Sequence, residues 1–134
     1  MLKSKLCKLL FYADFKHFKN YSVSITGVRY AHAHFGPVPD NYEHYFAVLI
    51  HDYKAIRVEE KLIGEYIGEV FFSETNPDLS IFSDSEIEVL ISVKKHFNEF
   101  SASEIREFSH RERGYKDTYD GEIISYEYAN YLQI

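Results

Sequence analysis

Tryptophan is absent, and cysteine and methionine occur once each. With Cys7 alone, no disulfide forms within the chain and no cysteine-based zinc cluster is assembled. Cys7 stands among Leu6, Leu9 and Leu10, where a thiol packs as a small apolar group. No apolar run reaches about 18 residues, so nothing is expected to span a membrane. The opening Met1-Leu2-Lys3-Ser4-Lys5 lacks the apolar stretch of a signal peptide. The cytoplasm is the expected compartment. Positive charge is also in deficit: 15 basic against 21 acidic residues leave a net charge of −6. That balance repels phosphate backbones and argues against nucleic-acid binding by this domain alone. It suits a basic protein partner, and equally it keeps a small domain in solution.

Apolar side chains are plentiful. They make up 46% of 134 residues, with 12 Tyr and 11 Phe, enough for one domain with a real core. Leu2, Leu6, Leu9, Leu10 and Ala13 recur at helical spacing over residues 2–18, with Lys3, Lys5, Lys8 and Lys16 between them as a solvated basic stripe. This helix starts almost at residue 1 with nothing ahead to cap it. That is expected of a fraying first turn, or of a domain with an upstream segment in a longer chain. Ser24-Ile25-Thr26-Gly27 is turn chemistry, and residues 28–35 alternate as a strand. Gly36-Pro37-Val38-Pro39 is expected to break that strand, with Asp40 or Asn41 capping a helix that runs to about Tyr53 and carries Tyr42, Tyr45, Phe46, Leu49, Ile50 and Tyr53 as a continuous apolar stripe. Residues 56–72 form a hairpin around Gly64-Glu65, which the strand at 28–35 is positioned to join. Ser83/Glu86 and Ser101/Glu104 are capping boxes. The first opens a helix with Ile87, Leu90, Ile91 and Phe97 on one side, and Val89 and Val93 widen that stripe. Ser125 caps a last turn through Tyr128 and Tyr131. The expected class is α+β: a mainly helical single domain, residues 1–134, with a small antiparallel sheet or hairpin.

Catalytic constellations are sparse. His32-x-His34 would place two imidazoles on one strand face, a start for a metal site, yet no third ligand follows at metal-site spacing. Histidines that only hydrogen-bond are the expectation; a His32/His34 metal-dependent hydrolase is the alternative. Asp14 and His17 lie three apart on the first helix, as a base-orienting pair or as a tie to the following strand. No phosphate-binding glycine loop is present. The expectation is therefore no catalysis, no cofactor and no metal.

Three blocks carry a resemblance. The first is Lys8-Leu9-Leu10-Phe11-Tyr12-Ala13-Asp14 with His17 and Tyr21. The second is Ile25-Thr26-Gly27, Tyr30 and Gly36-Pro37-Val38-Pro39. The third is Ser109-His110-Arg111-Glu112, Tyr115-Lys116 and residues 124–129. Their order and spacing resemble the SocA/Panacea antitoxin domain of bacteria and phages. Tyr115 departs from that pattern, since the family often carries Trp there, which would forfeit any role for an indole N–H. The resemblance implies an antitoxin that neutralises a cognate toxin by direct protein–protein binding. Family variants imply delivery of the toxin to the ClpXP protease, or a regulatory domain of a DNA-binding protein. A homo-oligomer is a further expectation. Asp14, His17, Thr26, Gly27, Tyr30, Gly36, Pro37, His110 and Glu112 are then a common scaffold. Exposed members of Tyr42, Tyr45, Tyr53, Tyr126, Tyr128 and Tyr131 are the candidate partner contacts, because interface hot spots favour tyrosine.

Overall fold

A computed structural model describes all 134 residues. The chain folds around helix α1 (Lys3–Tyr21). Its apolar face carries Phe11, Tyr12 and Phe15, which are fully buried with Tyr30, Val89, Val93, Phe97, Ile105, Ile124, Ala129 and Leu132. The aromatic rings interlock: Phe11–Phe15 centroids lie 4.3 Å apart, Tyr12–Phe97 4.6 Å and Phe15–Tyr126 4.6 Å. Each such pair adds about 0.5–1.5 kcal/mol beyond the area it buries. α1 stops where Ser22 turns left-handed (φ 63°) and its N–H closes on Phe18 O.

A three-stranded antiparallel sheet lies against α1, in the order β2 (Gly36–Pro39), β1 (Tyr30–Ala33), β5 (Ile123–Ile124). The Gly-Pro-Val-Pro segment is thus a strand, not a strand breaker. Asp40 N–H donates to Arg29 O at 2.8 Å. Alternation then aims Val38 and Gly36 at β1 and turns Pro37 and Pro39 to the free edge, where a missing N–H costs nothing. β1 is shorter than the alternation implied; His34 and Phe35 form the β1–β2 turn.

α2 (Tyr42–Ala47) follows. Neither Asp40 nor Asn41 caps it: Asn41 is itself left-handed (φ 63°) and makes no side-chain cap bond. The helix widens into a π-helical turn, Val48–Asp52, closed by Tyr53 N–H on Val48 O at 3.1 Å. β3 (Ile56–Ile63) and β4 (Tyr66–Ser73) make the hairpin around Gly64-Glu65. This hairpin does not pair with β1 and forms a sheet of its own. Its inner face buries Phe71 against Phe46 and Cys7 in a second, smaller apolar cluster.

Both capping boxes are present, opening α3 (Asp84–Phe97) and α4 (Ala102–His110). The buried stripe of α3 is Val89, Val93 and Phe97, whereas Ile91 faces solvent. Valine spacing, not the bulkier isoleucines, marks the core side. A short α5 (Arg113–Lys116), β5 and a 3-10 turn (Tyr126–Tyr131) capped by Ser125 complete an α+β fold. No helix is long and apolar enough to cross a membrane.

Candidate functional site

The lysines of α1 do not form one solvated stripe. Lys3 pairs with Glu69 at 2.7 Å, Lys5 donates to Phe100 O, and Lys19 donates to Leu132 O and Ile134 O. Lys8 is buried, 1% exposed, under the β1–β2 turn. Its place in sequence between leucines gave no sign of this, because lysine is almost never fully buried unless paired.

Asp14 is equally buried and is the anchor of the loop after α1. One carboxylate oxygen accepts from Ile25 N and Thr26 N, both at 2.8 Å. The other accepts from the Thr26 and Tyr30 hydroxyls, both at 2.6 Å. Gly27 (φ 75°) then turns the chain toward β1. Asp14 and His17 are not bonded to each other. His17 Nδ1 meets Val23 O at 2.6 Å and so carries the proton; Nε2 then accepts from Ser85 Oγ at 2.9 Å. The residue ties α1 to α3, which is no arrangement for a base.

Glu112 is the second buried carboxylate. It accepts from Tyr12 OH at 2.8 Å and from Gln133 N. Burial pushes its carboxyl up from the ordinary 4.5, against the pull of those two donors. A carboxyl raised on folding binds more protons in the native state, so its contribution to stability is lost as pH rises from 4.5 through the raised value. Denaturation of the wild type and Glu112→Gln between pH 4 and 8 is expected to show the wild type losing stability relative to the variant as pH rises. A difference that stays flat or grows with pH would contradict the burial effect.

The third polar centre lies at the β1–β2 turn. Tyr115 is sandwiched between His32 (centroids 3.7 Å) and His110 (4.6 Å), both stacked. Its hydroxyl donates to Ala33 O at 2.7 Å and His34 O at 3.2 Å. Tyrosine at this position therefore still supplies a donor, and the aromatic is more than packing. His32 Nδ1 bonds Thr118 Oγ at 2.9 Å. His34 lies in the turn, so His32 and His34 do not share a strand face. No group of three or more His, Cys, Asp or Glu comes together as a metal site. Gly36 (φ 115°) closes over Lys8: a Cβ there would stand 2.5 Å from Lys8 Cε and 2.8 Å from Ser109 Oγ. Pro37 is fully buried beside it.

The six tyrosines part into two sets. Tyr126 is half-buried: it stacks on Phe15 and Phe18 and donates its hydroxyl to Val28 O, which commits the ring to packing against the core. Tyr128 is half-buried against the main cluster, and Tyr42 is half-buried beside Phe46 and Lys3. Tyr45, Tyr53 and Tyr131 are exposed, the last under the Arg113 guanidinium. Leu49, which the sequence places in one apolar stripe with Tyr45 and Tyr53, stands between them at four-residue spacing and is also exposed. The π turn has more residues per turn than an α-helix, so this spacing holds the three side chains in one outward stripe. Glu43 and Asp52 flank it.

The architecture is that of a small α+β domain with a scaffold of buried polar anchors and an exposed aromatic stripe. The profile of the family described as antitoxin SocA-like, Panacea domain, matches residues 6–116, and the chain belongs to that family. No curated protein and no solved structure gives a significant match.

Proposed function

We propose that this chain is an antitoxin that neutralises a cognate toxin by direct protein–protein binding. Family membership over residues 6–116 carries the reading. The contact face assigned here is the stripe Tyr45, Leu49 and Tyr53, with Glu43 and Asp52 at its edge. Large apolar side chains at 43%, 36% and 73% exposure on consecutive turns gain by being covered. Tyrosine is favoured at hot spots because a rigid ring supplies area at low entropic cost, and its hydroxyl tolerates a wet rim. Neutralisation follows by occlusion: the helical ridge covers the toxin's active surface, and no reaction is required of the antitoxin.

Co-expression with the product of the adjacent gene tests this, reading growth and co-purification together. Rescue with co-purification of an intact toxin is expected. A toxic neighbour that is neither bound nor rescued would reject the proposal, and a toxin that disappears in a protease-dependent way would turn it toward delivery. The double variant Tyr45→Ala/Tyr53→Ala is expected to weaken binding at least about tenfold. Its stability should stay within about 0.5 kcal/mol of wild type, since both rings face solvent.

A further inference from the structure

Phe35 lies in the β1–β2 turn and is 55% exposed, where turns favour Gly, Asn, Asp and Ser. Tyr66 opens β4 at the tip of the hairpin and is 56% exposed. Two separate turns thus carry large rings to the surface, and both rings line one groove of about 510 Å³. Its remaining walls are Ser4 on α1 and Ala102, Ser103 and Arg106 on α4. Residues far apart in sequence therefore meet around one space, and that space is of the size that takes a small organic molecule.

Arg106 supplies the only charge of the lining. It is half-buried, and every ion pair of the chain is made by other residues. Its guanidinium lies over the Phe35 ring, 5.6 Å from the centroid. That contact uses the face of the cation, so the ring steadies it while the in-plane N–H donors stay available. No carboxylate lines the groove to take them. Ser103 and Arg106, three apart on α4, lie on one face of that helix. The hydroxyls of Ser4, Ser103 and Tyr66 add neutral donors to the same walls.

We propose that this groove binds a small organic anion built on a planar ring. The ring packs on Phe35 and Tyr66, and the anionic oxygens take the Arg106 guanidinium, with the hydroxyls completing their bonds. Aromatic rings offer both area and a face for stacking. Phosphate and carboxylate share the required chemistry, since each accepts a forked pair of N–H bonds from one guanidinium. The groove shares no residue with the Tyr45, Leu49 and Tyr53 stripe, so the site does not depend on the toxin-binding reading.

Amide NMR of the full chain, with the Arg106 side-chain N–H included, tests this. Adenosine monophosphate supplies a ring with a phosphate, and indoleacetate a ring with a carboxylate. Adenosine, inorganic phosphate and acetate each supply one half only. Ionic strength is held constant with chloride. The expected result is a saturable shift of Phe35, Tyr66, Ser103 and Arg106 with at least one whole probe, at least about tenfold tighter than with its halves. The tighter arm separates a phosphate-bearing ligand from a carboxylate-bearing one. Arg106→Gln and Phe35→Ala are each expected to weaken binding about tenfold, while Tyr53→Ala, outside the groove, leaves it unchanged. The site is overturned if both whole probes act no differently from chloride, or if neither binds better than its halves. Binding that survives Arg106→Gln undiminished overturns it as well.

Discussion

Asp14→Ala is expected to lower the unfolding free energy by about 4 kcal/mol, read as a shift in urea midpoint at unchanged slope. One buried carboxylate holds two backbone amides and two hydroxyls. Removing it leaves the buried Tyr30 OH without a partner and frees Ile25 N and Thr26 N in the part-buried loop. Each such orphan costs about 1–3 kcal/mol, more than the net worth of the bond itself. Against a typical total of about 5–15 kcal/mol, the loss brings the domain close to unfolding at 37 °C. Thr26→Val, which removes one hydroxyl donor and leaves the others, should cost only about 1 kcal/mol. If Asp14→Ala and Thr26→Val cost the same, the carboxylate is not the organiser of the loop.

Gly36→Ala is the second large effect, with an expected loss of about 3 kcal/mol. Two penalties coincide. The residue sits at φ 115°, a conformation that side chains rarely adopt, and its Cβ would strike Lys8 Cε at 2.5 Å. Flexible lysine ends normally yield to such a clash, but this one is enclosed and has nowhere to go. Gly27→Ala isolates the backbone part. Gly27 is also left-handed (φ 75°), yet nothing lies within 4 Å of its would-be Cβ. It should cost about 1 kcal/mol. Equal losses at the two glycines would mean that the close approach over Lys8 carries no energy.

The two capping boxes and the hairpin at Gly64-Glu65 could be read directly from sequence because their physics is local: each is complete within four to eighteen residues. The departures arise where a partner lies far along the chain. Gly36–Pro39 was expected to interrupt the sheet, since proline removes a donor; only the position of β1 reveals that both prolines point to a free edge. The hairpin and β1 were expected to share a sheet, but β5 takes that place with two residues, too few to carry a pattern. Lys8 between leucines reads as a surface lysine because charge is normally excluded from cores; nothing local signals that Gly36 closes over it. In the candidate site, tyrosine frequency pointed to six residues without ordering them by exposure. Separating Tyr45 and Tyr53 from the half-buried Tyr126 required burial, and the outward direction of the stripe that joins them to Leu49 showed only in the fold.

The partners of α1 come late in the chain. Tyr12 waits for Glu112, Phe15 for Tyr126, and Lys19 for Leu132 and Ile134. Ile124, Ala129 and Leu132 complete the core beyond residue 116, where the family match ends. A ribosome adds about 5–20 residues per second, so a nascent chain carries the apolar face of its first helix uncovered for on the order of ten seconds. During that interval the half-made domain is a substrate for chaperones and proteases, and a transcript cut short near codon 116 would yield a chain that holds the whole matched stretch, residues 6–116, yet lacks the residues that close its core.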